Sequence, residues 1–239
     1  MTCAIGLRFM ILPNLGDARW CPEINVTPYA HTDATLALMR RAPVIPVLTI
    51  GSVSKGLALA RALVAGGLPV LEITLRTAQA LDAIRAMRDE VAGCILGAGT
   101  VTQPAQIEAS VKAGATFLVS PGMGPKLLHP ARESPVAFLP GIATASEAMA
   151  LMEHGFGALK FFPAEAAGGV EYLRSLAGPL GELYFCPTGG IDAAKASLYL
   201  AQRNVLCVGG SWMVPNEALQ ANDFARIELL ARAASALRA

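Results

Sequence analysis

The chain has 239 residues, of which 54% are hydrophobic and only 15% charged, and its formal net charge is +1. That length suits one large domain, and a charged fraction well under the usual quarter or so points to extensive burial, a subunit interface included. A near-neutral balance with no basic or acidic block excludes an electrostatic footprint for nucleic acid or a membrane surface, and no apolar run reaches the length of a membrane span.

Residues 1–31 show no period and mix Pro13, Asn14, Gly16, Trp20, Pro22, Asn25 and Pro28, so they read as an irregular or disordered extension. Their one apolar cluster, 9–12, is too short and broken for a signal peptide. Thr32-Asp33 gives an N-cap signal for a short helix running to Arg40-Arg41 and ended by Pro43. A pattern then repeats. Apolar runs suited to buried strands occupy 44–50, 70–74, 94–98, 117–120, 136–139, 158–161, 183–186 and 205–208. Amphipathic helices are predicted after them, over about 53–65, 78–89, 104–113, 125–132, 145–153, 170–176, 193–200 and 224–237. Gly66-Gly67 and Gly114 stop two of these helices, and Pro104 opens another at its first turn.

Solid apolar strands alternating with helices imply a parallel sheet covered on both faces. Eight such units in about 200 residues imply a single-domain (β/α)8 TIM barrel over 32–239, with the short helix preceding the first strand. A doubly wound open sheet is the alternative, weakened because no Gly-rich fingerprint follows the first strand.

Active sites of barrels lie at the C-terminal ends of the strands, so polar residues that interrupt or end the runs become candidates. Lys160 sits inside the sixth run, where burial would favour a neutral, nucleophilic amine; a lysine snorkelling to solvent is the other reading. Glu72 lies within the second run, either facing out between helices or buried and able to move protons. Arg76, past the end of that strand, could hold a carboxylate in bidentate fashion or be a solvated loop residue. Thr100 follows the third strand, Pro121 the fourth. Thr188-Gly189-Gly190 ends the seventh and Gly209-Gly210-Ser211 the eighth. Loops after strands seven and eight commonly form a phosphate site in barrels, and paired glycines let backbone N–H groups approach a ligand closely.

None of His31, His129 and His154 falls at a strand end, so no catalytic triad or metal cage is visible. The five cysteines, Cys3, Cys21, Cys94, Cys186 and Cys207, lack metal-ligand spacing and read as reduced, small hydrophobes of a cytoplasmic protein.

At this point the segments 70–77, 97–101, 120–122, 140–142, 160–165, 185–191 and 209–212 resemble the 2-keto-3-deoxy-6-phosphogluconate (KDPG) aldolases, enzymes that often also cleave 4-hydroxy-2-oxoglutarate. The resemblance runs in order from about residue 33 to the end; the first 31 residues have no counterpart in it. It implies a homotrimeric barrel and a Schiff-base mechanism without a metal or other cofactor. It places the imine-forming lysine at Lys160 and the general acid/base at Glu72. Arg76 and Thr100 match positions that bind the pyruvate carboxylate, Pro121 and Phe162 match residues that wall the site, and the glycine pairs with Ser211 match the phosphate site; Thr188 is a further substrate-binding candidate. Ala143 departs from the serine that relatives often carry there. The partners implied are small molecules, a phosphorylated 2-keto-3-deoxy sugar acid and pyruvate. Two rival readings use the same pocket: a phosphate-binding barrel isomerase or synthase with Glu72 as base, and a non-catalytic phosphosugar sensor.

Overall fold

The structure is a computed structural model that describes residues 30–237. The extension expected over 1–31 therefore lies outside the described residues, apart from its last two, which join the first helix. That helix, α1, spans Ala30–Met39 and begins earlier than the Thr32-Asp33 cap signal suggested. Thr32 is not a cap because its hydroxyl is used in tertiary structure: it donates to the Gly155 carbonyl at 2.7 Å and accepts from the Gly157 N–H at 3.2 Å.

After α1 the chain alternates. The strands are β1 (Val44–Leu48), β2 (Val70–Thr74), β3 (Ile95–Gly99), β4 (Phe117–Val119), β5 (Ala137–Leu139), β6 (Gly141–Ile142), β7 (Ala158–Phe161), β8 (Tyr184–Pro187) and β9 (Val208–Gly210). The helices between and after them are α2 (Val53–Ala65), α3 (Ala80–Glu90), α4 (Pro104–Ala113), α5 (Pro125–Arg132), α6 (Ala145–Glu153), α7 (Gly169–Leu176), α8 (Ala193–Leu200), α9 (Asn216–Ala221) and α10 (Phe224–Ser235). Helix α9 was not foreseen. It is only 6 residues long and starts behind Pro215, too short for an apolar period to register.

All strand pairings are parallel, in the orders β5-β4-β3-β2-β1-β9 and β6-β7-β8. The two sheets are one barrel. β5 and β6 are halves of the fifth barrel strand, parted at Pro140, which has no N–H to give to a ladder. The Pro140 carbonyl still accepts from the Lys160 N–H at 2.8 Å, so the wall is continuous there. On the other side, β8 meets the eighth strand through the bridges Phe185↔Val205 and Thr188↔Gly209. The bridged positions are three apart on the β8 side, 185 and 188, but four apart on its neighbour, 205 and 209, so the eighth strand carries one extra residue. That bulge explains why regular strand is found at Val208–Gly210 rather than over the expected 205–208.

Side chains alternate across each strand. One face packs on the helices, in a core that includes Leu71, Ile73, Leu118, Phe138, Leu159 and Phe185. The other fills the barrel with a second cluster, Ile45, Val70, Phe117, Val119, Leu139, Ala158, Cys186 and Cys207, joined by Met39 from α1. A Cβ on Gly97 would overlap the Phe117 ring, so a glycine on β3 makes room for the largest side chain of this inner layer. Burying one such aromatic contributes roughly 1.5–3 kcal/mol. Glu72 follows Val70 by two residues and Lys160 follows Ala158 by two. Both charged residues therefore continue the inner face one layer nearer the C-terminal mouth.

None of Cys94, Cys186 and Cys207 is in a disulfide, and Cys186 and Cys207 are buried. Burial pushes the half-buried Cys94 thiol up to about 12, leaving it protonated and inert.

Candidate active site

Lys160 and Glu72 are both almost wholly shielded from solvent, at 5% and 3% exposure. The Lys160 Nζ donates to Glu72 Oε1 at 3.1 Å and to Oε2 at 3.4 Å. It also lies 5.5 Å from the centroid of the Phe162 ring. Small or absent side chains open space around the pair. Lys160 stands in register between Gly141 and Cys186. A Cβ on Gly99 would overlap the Glu72 carboxylate. Two opposite charges buried together are tolerated because each satisfies the other. A proton passing from Nζ to the carboxylate converts this ion pair into a free amine beside a neutral acid without changing the net charge. The site can thus expose a nucleophile and arm a proton donor in one step.

Lys160, the lysine of the pair, lines a cavity of about 340 Å³ together with Phe162, Arg76, Thr188-Gly189-Gly190 and Gly209-Gly210-Ser211. Lys160 and Thr188 are buried, whereas Arg76, Gly190 and Ser211 are exposed at the rim. Arg76 donates from Nε to the Thr100 hydroxyl at 3.3 Å. Thr100 holds a left-handed backbone, φ 62°, just past β3. This tethers the guanidinium across the ends of β2 and β3. Among the described residues, no bonding partner occupies its two terminal nitrogens, which are free for a bidentate ligand. At the opposite rim, Gly189 and Gly190 have φ of 106° and 77°, backbone that side-chain-bearing residues rarely adopt. A Cβ on Gly209 would overlap the Thr188 hydroxyl.

Nine of the twelve expected site residues line this one cavity. Glu72 is reached through Lys160, and Thr100 through Arg76. Pro121 is set back: its backbone packs against Gly141, the β6 neighbour of Lys160, so it supports the wall one residue behind the lysine.

Sequence reasoning overlooked two features. Thr49, at the end of β1, lines the cavity. Its hydroxyl lies 3.0 Å from that of buried Thr74, which donates onward to the Leu48 carbonyl at 2.9 Å. The second is a cluster beside the Gly189-Gly190 loop. Glu165 pairs with Lys195 at 2.8 Å and accepts from the Tyr199 hydroxyl at 2.6 Å. The hydrogen bond from Lys195, then that from Tyr199, holds the Glu165 carboxyl below its ordinary range; Glu165 in turn raises Lys195. Burial, aided by Glu165, pushes the Tyr199 phenol up. Glu165 meets its partners at separations of 30 and 34 residues, which no local pattern announces.

Among the described residues, no three His, Cys, Asp or Glu side chains gather as metal ligands would.

With this geometry in hand, comparison with known proteins is informative. The family model for KDPG and KHG aldolase matches residues 36–230. The KHG/KDPG aldolase of Escherichia coli K12 is 50% identical over 198 residues, covering 83% of this chain and 93% of that protein. The 2-dehydro-3-deoxy-phosphogluconate aldolase of Dickeya dadantii is 50% identical over 199 residues, with the same coverage. Among solved structures, KDPG aldolase from Legionella pneumophila with pyruvate captured as a covalent carbinolamine superposes with a TM-score of 0.82 at 42% identity, covering 84% of this chain and 98% of that one. The Zymomonas mobilis enzyme with 3-phosphoglycerate gives 0.83 at 45% identity, covering 87% and 98%. A match over this span and at this identity decides the point: the chain belongs to the KDPG and KHG aldolase family.

Proposed function

We propose that this chain cleaves 2-dehydro-3-deoxy-6-phosphogluconate to pyruvate and glyceraldehyde 3-phosphate, and 4-hydroxy-2-oxoglutarate to pyruvate and glyoxylate, through an imine on Lys160. The observation that carries the proposal is the buried Lys160–Glu72 contact of 3.1 Å, with Lys160 lining a cavity rimmed by the Arg76 guanidinium and two glycine loops.

The steps follow from the placement. Arg76, steadied by Thr100, takes the substrate carboxylate and so presents the C2 ketone to Lys160. The proton of Nζ passes to Glu72, the amine adds to C2, and a proton moves from the new C–N nitrogen to the former ketone oxygen to give a neutral carbinolamine. Water leaves from the carbinolamine, with Glu72 returning the proton to the departing hydroxyl. The protonated imine then withdraws electrons from the C3–C4 bond. Glu72, again a carboxylate, removes the C4 hydroxyl proton, directly or through a water. The C3–C4 bond breaks, releasing the aldehyde and leaving an enamine of pyruvate. Glu72 protonates the enamine carbon, and water hydrolyses the imine to free pyruvate. The imine itself is the electron sink, so the chemistry needs no metal or organic cofactor. Phe162, half-buried beside Nζ, and Pro121 behind Gly141 shield the imine. The glycine loops after the seventh and eighth barrel strands, through backbone N–H groups such as that of Gly190 and through the Ser211 hydroxyl, receive the substrate phosphate. Relatives support both halves of this reading: one was captured with pyruvate as a carbinolamine, another with 3-phosphoglycerate.

A coupled assay for pyruvate tests the function. Turnover of the phosphorylated sugar acid is expected. Binding of that substrate without pyruvate release would instead favour a sensor, and its isomerisation an isomerase. We further propose a homotrimer in the cytoplasm. The low charged fraction of the chain and the exposed Met149, Leu198 and Leu229 are compatible with a covered surface, and light scattering gives the mass directly.

A further inference from the structure

An anion site built from backbone N–H groups works only if the neighbouring carbonyls are turned away from it, since a carbonyl dipole repels the same anion its N–H attracts. Three successive carbonyls of the loop after β8 are all engaged, two by the loop after β7 and one by α8. Thr188 O accepts from the Ala164 N–H at 2.8 Å and Gly189 O from the Glu165 N–H at 3.2 Å. Gly190 O accepts from the Lys195 ammonium at 3.1 Å. By contrast, among the described residues the N–H of Gly190 donates to no protein group, and both Gly189 and Gly190 line the cavity. The first two of those carbonyls are held by backbone, as any loop could arrange. The third is held by a side chain, and that side chain is itself fixed by the 2.8 Å ion pair from Lys195 to Glu165. Glu165 is anchored in turn by Tyr199, whose ring is fully buried. Glu165 also fills the space a Cβ on Gly190 would enter, 2.8 Å from its Cγ.

We propose that Glu165 and Lys195 form a clip that positions the Gly189-Gly190 loop for the substrate phosphate, with Tyr199 as its fixed end. They are positioning residues: Lys195 turns the Gly190 carbonyl outward, and Glu165 both holds Lys195 and neutralises its charge. The clip makes the enzyme selective for phosphorylated over unphosphorylated substrates without touching the imine chemistry. The inference rests on the reading of the glycine loops as the phosphate site.

The test compares Glu165→Gln and Lys195→Met with the unaltered enzyme in two assays. The first measures kcat and KM on the phosphorylated sugar acid and on 4-hydroxy-2-oxoglutarate. The second measures competitive inhibition by inorganic phosphate. Lys195 is 42% exposed at its side chain, so its replacement tests the clip even if the Glu165 variant folds poorly. Both variants are expected to raise KM for the phosphorylated substrate and to weaken phosphate inhibition by about tenfold, the scale of one charge-assisted hydrogen bond. KM for the unphosphorylated substrate should not move, and Lys195→Arg should restore phosphate binding. Equal losses on both substrates, or phosphate inhibition unaltered in both variants, would overturn the clip. Tighter phosphate binding by Glu165→Gln would also overturn it, because Lys195 would then be a direct ligand that Glu165 restrains. If the unaltered enzyme is not inhibited by phosphate and Ser211→Ala does not separate the two substrates, the phosphate-site reading itself fails and takes the clip with it. Phosphate inhibition that depends on Ser211 but ignores both clip variants removes the clip alone.

Discussion

The Lys160 Nζ lies 3.1 Å from Glu72 Oε1, although 88 residues separate them in the chain and both are buried inside the barrel. Barrel closure brings the second and sixth strands face to face, and the same inner-layer position on each carries the charge. An ammonium that can pass its proton to its own counter-ion is ready to add to a ketone, and the acid so formed is ready to act next. The predictions below separate these roles.

Glu72→Gln keeps the shape of the pair but removes the proton carrier. Turnover should fall by about 10²–10⁴-fold, the range attributed to a positioned general acid/base. Imine formation with pyruvate should slow but still occur on Lys160. Single-turnover kinetics with reductive trapping distinguish the two; full turnover in this variant would remove Glu72 from the mechanism.

Gly99→Ala places a methyl group where the Glu72 carboxylate lies. Overpacking of this kind costs about 1–3 kcal/mol, and here the carboxylate must shift to relieve it. The melting temperature should drop, with kcat falling more than KM rises. An unaltered kcat would show that the carboxylate position is not critical.

Ser211→Ala removes a hydroxyl from the cavity rim beside Gly209-Gly210, where the phosphate is proposed to bind. KM for the phosphorylated substrate should rise about tenfold, as expected for a hydrogen bond to a charged group, with a much smaller change for 4-hydroxy-2-oxoglutarate. Equal effects would argue against phosphate contact at this position.

Glu147 closes a capping box at the start of α6. Its Oε2 accepts from the N–H groups of Ala143 at 2.8 Å and Thr144 at 2.9 Å, and from the Thr144 hydroxyl at 3.0 Å. The Ala143 N–H bond, with those from Thr144, holds the carboxyl below its ordinary value of 4.5. A lowered folded value means stabilisation that is present above the unfolded value and lost as pH falls through the folded one. Glu147→Ala should therefore cost about 1 kcal/mol near pH 7. The gap between the two proteins should narrow below about pH 4.5, which denaturant melts at several pH values would show. A gap independent of pH would contradict the charge-assisted cap.

Much of the fold was legible because its strands are solid apolar runs. β2 (Val70–Thr74), β7 (Ala158–Phe161), α2 (Val53–Ala65) and α6 (Ala145–Glu153) fall where their patterns place them. Misplacements occurred where tertiary contacts overrode local signals. Thr32 spends its hydroxyl on Gly155 rather than on a cap, and one extra residue displaces the eighth strand. At the site, charged or glycine-rich interruptions of apolar strands marked Lys160, Glu72 and the two glycine loops. Thr49 and the Glu165–Lys195–Tyr199 cluster carry no such mark. A threonine at a strand end is ordinary, and the cluster's members meet only once α8 packs beside the loop after β7.

Incubation with pyruvate and borohydride, followed by peptide mass analysis, tests the central claim most directly. The account predicts one pyruvate-sized reduced adduct per chain, on the peptide carrying Lys160. It also predicts loss of both the adduct and nearly all turnover in Lys160→Ala. An adduct on another lysine, or turnover above a few per cent in that variant, would contradict it.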